Sequence, residues 1–128
     1  MSRYISELHR SFVIKRATQC CEYCHLEDDV NYIPHQIDHI ISLKHGGKTE
    51  LENLAYSCFS CNNNKGSDIG TMLLPNMEFI RLFNPRLDNW NEHFELAYGV
   101  IYPLTSIGEE TIKLLKMNTV EKIMERNV

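Results

Sequence analysis

Five cysteines carry the first chemical information in this 128-residue chain: Cys20, Cys21, Cys24, Cys58 and Cys61. They resolve into two CxxC pairs, Cys21-Glu22-Tyr23-Cys24 and Cys58-Phe59-Ser60-Cys61, with residues 25–57 between them. Each pair can present two thiolates to one side of a tetrahedral ion, so together they predict a structural Zn2+ held by Cys21, Cys24, Cys58 and Cys61. The separation is longer than the usual ~15–20 residues, and buried or redox-active thiols are the alternative use. Cys20 could replace Cys21, but CxxC is the better chelate loop, and Cys20 reads as a packed free thiol. Cys21 to His25 also fits the CxxCH pattern of haem attachment. That chemistry calls for export, the opening MSRYISELHRSF has no apolar run to direct it, and the second pair would be left without a task. His25 then reads as a surface residue or a neighbour of the zinc ligands.

Between and just after the two pairs stand Asp38-His39, Gly46-Gly47, Asn53-Leu54, Asn62 and Lys65. Alone, an Asp-His pair in a strand is usually structural, and Asn62 to Asn64 would read as a polar cap or turn. In this order against two cysteine pairs (CEYC, IDHIISLKHGG, ENL, CFSCNNNK), residues 1–70 resemble the HNH endonuclease family. Many relatives carry histidine as the third letter where this chain has Asn62, which makes it an HNN variant. The segments LFNPRLDNWNEHF and LTSIGEETIKLLKMN are similar to the tail of some stand-alone bacterial HNH proteins.

The residues fit that chemistry. Phosphodiester hydrolysis needs a nucleophile made at neutral pH and a Lewis acid for the departing oxygen. His39, with an ordinary pKa near ~6.5, can take the proton of an attacking water. Asp38 offers a hard oxygen to a divalent cation and Asn62 a second one. The resemblance implies the same roles: His39 as general base, Asp38 and Asn62 as ligands of a catalytic Mg2+ or Mn2+, and DNA as substrate. Asn53 is expected to hold a loop through side-chain bonds to backbone and so orient His39. Lys65, three residues after Asn62 and on its face, would place a cation where a phosphate sits. Lys44, His45 and Lys48 are candidate nucleic-acid contacts, with a solvated turn as the other reading of His45. His35 either flanks the site or is a satisfied structural histidine, and His93 reads as packed.

Elements must position these groups. Residues 6–18 read as an amphipathic helix with Leu8, Phe12 and Ala17 near one face. Cys20 to Asn31 reads as a zinc loop, and His35–Ile41 as a strand entering the Gly46-Gly47 turn. Thr49 and Glu52 have the form of a capping box over one turn, Glu50–Asn53. Ala55–Ser57 returns as a strand, and a helix starts at Cys58 and ends at Gly66 or Gly70. Cys58 and Cys61 then share a face near a helix start, whose positive dipole end favours thiolates. Asp38 and His39 pose a difficulty: neighbours in a regular strand point to opposite faces, so a strand end or distortion is required there. Beyond Gly70 the sequence predicts a hairpin of His93–Leu96 and Val100–Leu104 around Tyr98-Gly99. A helix follows behind a Ser106/Glu109 capping box, then a last one from Thr119 to about Arg126.

The expected fold is α+β: a ββα-metal core with its zinc over residues 1–70, and an accessory hairpin and helices over 71–128 packed on it. Composition is that of a globular unit, 43% hydrophobic and 23% charged. No run approaches the ~20 apolar residues of a membrane span, so the expected location is cytoplasmic. Thirteen Lys plus Arg against seventeen Asp plus Glu give a net charge of -4, unfavourable for binding DNA unaided. Three functions are open: a metal-dependent endonuclease first, then a zinc-stabilised nucleic-acid-binding module without catalysis, and third a nuclease whose DNA affinity comes from a protein partner or homodimer. The binding module has no need of Asp38, His39 and Asn62 together.

Overall fold

The structure, a computed structural model, describes residues 4–28 and 33–127. Asp29 and Asn31, placed in the zinc loop above, lie outside these residues. Helix α1 (Glu7–Arg16) is capped by the Ser6 side chain, which accepts from the His9 N–H. Its buried face differs from the expected one: Val13 and Ala17 are covered, whereas Leu8 and Phe12 are exposed. Val13 and Ala17 are four apart and meet Leu54 and Tyr56 of the following sheet. Phe12 instead lies under the Arg16 guanidinium, 5.3 Å from its ring centre.

Strands β1 (Gln36–His39) and β2 (Leu54–Ser57) pair antiparallel, with Asp38 opposite Ala55 and His39 opposite Leu54. Two short 3-10 turns, Leu43–His45 and Leu51–Asn53, fill the connection. The second has Glu50 at its start with no side-chain cap, so the Thr49/Glu52 capping box does not form. Thr49 bonds His39 instead. Helix α2 (Phe59–Lys65) starts from Cys58, whose sulfur accepts from the Cys61 N–H, and stops at Gly66, φ 52°.

A hairpin the sequence reading left unassigned, β3 (Gly70–Leu73) and β4 (Glu78–Arg81), comes next. Helix α3 (Trp90–His93) leads into β5 (Phe94–Ala97) and β6 (Val100–Pro103). Tyr98 and Gly99 have φ of 51° and 82°, the left-handed pair a two-residue hairpin turn requires. Helix α4 (Ser106–Leu115) is capped by Thr105 onto the Gly108 N–H, one residue before the expected cap. Helix α5 (Val120–Arg126) is capped by Thr119.

One apolar core crosses residue 70. It joins Cys21, Tyr23, Cys24, Ile40, Ala55, Cys58 and Cys61 to Phe83, Phe94, Ile101, Leu115 and Met117. The Trp90 indole N–H donates to the Tyr23 carbonyl at 2.8 Å, and the Arg86 guanidinium pairs with Glu22. Among the described residues no helix is long and apolar enough to cross a membrane.

Candidate metal centre and catalytic cleft

The two CxxC turns converge. The sulfurs of Cys21, Cys24, Cys58 and Cys61 lie within 4.8 Å of one another, all four residues buried, with Cys24 and Cys58 Sγ 3.7 Å apart. A tetrahedral ion with ~2.3 Å bonds to sulfur needs sulfurs separated by about 3.8 Å, so the donor set fits a metal such as zinc. In each turn a backbone N–H steadies the first sulfur: Cys24 N to Cys21 Sγ at 3.5 Å, Cys61 N to Cys58 Sγ at 3.4 Å. Burial drives the Cys21 thiol up, and bonding to the other sulfurs, Cys21 first, does the same for Cys61. Cys58 is pulled down by the donors around it, again Cys21 first. Four sulfurs this close share protons unequally until a cation replaces them. Cys20 is half-buried and outside the cluster.

The C-terminal helix reaches this centre. Lys122 is buried, with Nζ 3.6 Å from Cys61 Sγ and 3.4 Å from the Leu115 carbonyl. Burial works against its ammonium, but the four sulfurs, Cys61 first, outweigh it and hold its pKa above the ordinary lysine value. Arg126 donates to the carbonyls of Cys24, Met117 and Gly99. His25 stacks on Trp90 with ring centres 3.7 Å apart, and burial, aided by Arg126, holds its imidazole at about 4.

Near the C-terminal end of α2, β1 ends at His39, which supplies the strand end that the alternation problem calls for. Asp38 and His39 line one cleft of about 300 Å³ together with Ser42, Leu43, Lys44, Gly66 and Ser67. His39 Nε2 lies 2.8 Å from Thr49 Oγ1, a contact that fixes the ring plane. Asn53 closes the loop between strands: its carbonyl accepts from Ile41 N at 2.9 Å, and its amide donates to the carbonyls of Ile41 and Lys48 at 2.8 and 2.9 Å. Gly46 ends the 3-10 turn at φ 90°. At Gly47 a Cβ would sit 1.8 Å from the Ile41 carbonyl and 2.7 Å from Asn53 Nδ2, so the second glycine admits that tie. Lys44, His45 and Lys48 are exposed on this loop, and Lys44 lines the cleft.

Two side-chain rungs join β1 to α2. Gln36 and Asp38 are two apart on the strand, Asn62 and Lys65 three apart on the helix. The Asn62 amide donates to Gln36 Oε1, and Lys65 Nζ stands 2.9 Å from Asp38 Oδ2. Lys65 therefore differs from expectation. Its side chain is 3% exposed and also donates to the His39 carbonyl at 3.0 Å, so its cation is spent inside the protein and not held out for phosphate. Asn62 likewise faces Gln36 and is absent from the cleft lining. Burial pushes the Asp38 carboxyl up, opposed by Lys65 and His39. Although Lys65 is close, Asp38 Oδ2 receives no well-directed hydrogen bond, and neither does Ser42 Oγ. These two buried oxygens border the same cleft.

His35 lies elsewhere, on the zinc-loop side. Its Nε2 is 2.8 Å from the Leu26 carbonyl and its ring packs on Tyr56, so it is the structural histidine of the two readings. His93 packs against Phe83, with Nδ1 2.6 Å from Thr105 Oγ1. Sequence reasoning missed Ser42, Thr49 and Gln36. Single polar residues without motif spacing gave no signal that could single them out.

No curated protein and no solved structure matches the chain. Residues 21–68 match the family model described as HNH endonuclease, a span that opens at the first metal-type cysteine and closes just past Lys65. Over this segment the chain is similar to the HNH endonuclease family.

Proposed function

We propose that the protein is a metal-dependent endonuclease that hydrolyses phosphodiester bonds in DNA, with His39 as the general base. The observation that carries this reading is the cleft in which His39 stands beside Asp38, with the buried Ser42 hydroxyl short of a partner and Lys44 at its wall. Such a hydroxyl calls for a phosphate or water to complete it. Zn2+ at the four cysteines is structural, since four protein ligands leave no open position. Asp38 supplies the hard oxygen for a catalytic Mg2+ or Mn2+, which would serve as Lewis acid for the departing oxygen. Asn62 would join it as second ligand once its amide turns from Gln36. Thr49 and Asn53 fix the ring and the loop, so His39 meets water in a set orientation. Lys44, His45 and Lys48 line the approach for the phosphate backbone.

A second form of this reading is favoured by charge. A net charge of -4, made more negative by four thiolates around one Zn2+, is a poor electrostatic match for DNA. A DNA-binding partner or a homodimer would then supply affinity while this chain supplies the cleft. Plasmid cleavage by the purified protein across a panel of divalent metals, alongside His39→Ala, tests both forms. Metal-dependent cutting lost in His39→Ala supports the enzyme. Equal inertness of the two proteins on plasmid and on short oligonucleotides overturns it, whereas cutting of oligonucleotides with salt-sensitive plasmid binding points to the partner-assisted form.

A further inference from the structure

Asp38 and Asn62, the two side chains with oxygens to offer a divalent cation, are both engaged with other groups in the structure. The engagement is specific in each case: an ammonium at the carboxylate, an amide carbonyl at the amide. Lys65 cannot drift to another place, because its side chain is buried and its Nζ is also tied to the His39 carbonyl. Its approach to Asp38 is close in distance but poorly directed, which leaves Oδ2 short of a hydrogen bond while neutralising its charge. That is how a stand-in cation behaves, filling the charge requirement and leaving the lone pair open.

We infer that Lys65 is the resident counter-ion of Asp38, and that the catalytic divalent cation binds in competition with it, the Asn62–Gln36 rung opening in the same step. This rests on the reading of Asp38 as a metal ligand and adds to it what controls loading of the metal. A fixed ammonium beside the carboxylate repels a doubly charged ion, and in a buried setting that repulsion is weakly screened. The same contact keeps the carboxylate from being a buried charge without a partner when no metal is present. Lys65 is thus a positioning residue with two opposed effects. Through the His39 carbonyl it holds the end of β1, and through Asp38 it weakens the metal.

The two effects separate in one experiment on the full-length, zinc-loaded protein. Mn2+ is titrated and free Mn2+ is followed by electron paramagnetic resonance, with cleavage measured in parallel. Lys65→Met is expected to bind Mn2+ more tightly, on the order of tenfold from the lost repulsion, yet to cleave more slowly. Gln36→Ala, at an exposed residue, is expected to tighten Mn2+ by a smaller factor, and it carries the test if Lys65→Met loses zinc or melts early. Asp38→Asn is expected to remove the site. Tightening in either variant, lost in Asp38→Asn, supports competition. Unchanged or weaker Mn2+ binding in both variants overturns it, as does wild-type protein and every variant that binds no Mn2+. The enzyme reading is judged separately by His39→Ala, so intact wild-type cleavage with unmoved Mn2+ affinity sinks this inference alone.

Discussion

The cysteine centre lies at the start of one seven-residue helix, α2, and the cleft lies at its end, and they are built on opposite plans. The cysteine centre is closed: four like donors, all buried, each within reach of the others. What it requires is a single ion at the middle. The cleft is open and its groups are dissimilar and already held by neighbours, His39 by Thr49 and Asp38 by Lys65, while Asn62 stands outside its lining and is tied to Gln36. A closed set of identical ligands converts metal affinity into folding free energy. An open set of pre-engaged donors, as the proposed function has it, would give up affinity and keep a bound metal exchangeable. Helix α2 couples the two, since Cys61 faces the cluster while Lys65, four residues on, faces Asp38.

The largest expected effect breaks the closed side. Cys58→Ser removes one sulfur from the cluster, while the serine hydroxyl can still cap α2, so the effect reports on the metal. Structural zinc contributes about 10–16 kcal/mol of apparent binding free energy in small metal-folded peptides, more than a domain of this size has to spare. The variant should lose both zinc and cooperative unfolding, seen by elemental analysis and thermal melts. Full zinc content with an unshifted melt would show that the cluster does not hold the fold.

His39→Ala acts on the open side only. Loss of a general base costs about 10²–10⁴-fold in rate, while zinc content and melting temperature should stay near wild type because the ring lines the cleft and meets Thr49 there, outside the buried core. A large fall in melting temperature would make His39 a structural residue and erase the contrast between the two sites.

Asn53→Ala falls between these extremes, because Asn53 serves the cleft through the backbone. The substitution strands the Ile41 N–H and the carbonyls of Ile41 and Lys48, and a buried backbone group without a partner costs about 1–3 kcal/mol. The melt should shift down by several degrees with zinc retained, and cleavage should fall as the loop carrying Ser42 and Lys44 loosens. An unmoved melt would mean that the loop is held by the Gly46-Gly47 turn alone.

What could be read from the sequence follows the same division. The four-cysteine cluster was legible because CxxC is a local chelate: spacing alone puts two sulfurs together, and only the meeting of the two turns is left to the fold. Asn53 and the double glycine were legible in kind for the same reason, as they close a loop on itself. The α5 cap at Thr119 and the Tyr98-Gly99 turn were local too. Lys65 was misjudged because a spacing of three residues fixes which face of a helix it shares, and says nothing of how deep that face lies. Depth is set by β1 crossing α2, a contact between residues 26 apart. The same applies to α1, read with Leu8, Phe12 and Ala17 on its inner face, where the partner sheet covers Val13 and Ala17 and leaves Leu8 and Phe12 exposed. The hairpin of β3 and β4 carries Ile69, Met72, Met77 and Phe79 on exposed positions, so its strands lack the clean alternation that would have announced them.

The smallest expected effect concerns which metals the open side accepts, and it rests on Asn62. With Asp38 and Asn62 as protein ligands the set is all oxygen, completed by water and phosphate, and such sites suit hard Mg2+ or Mn2+. One carboxylate, shared with Lys65, and one neutral amide make a weak site, so the wild type should need millimolar metal and lose it on purification. Zn2+ should support little cleavage. Asn62→His replaces the amide by an imidazole, a ligand that raises affinity for Ni2+ and Co2+. It also removes the amide donor to Gln36, so the new ring is free to turn toward Asp38. The variant should therefore keep activity with Mn2+ and gain it with Ni2+ and Co2+, without a change in melting temperature. Weak chelation is the right preparation, because exhaustive stripping would take the structural zinc as well. Wild-type protein that works best with Ni2+ or Zn2+, or an Asn62→Ala variant with full activity, would remove Asn62 from the ligand set and leave Asp38 as its protein oxygen.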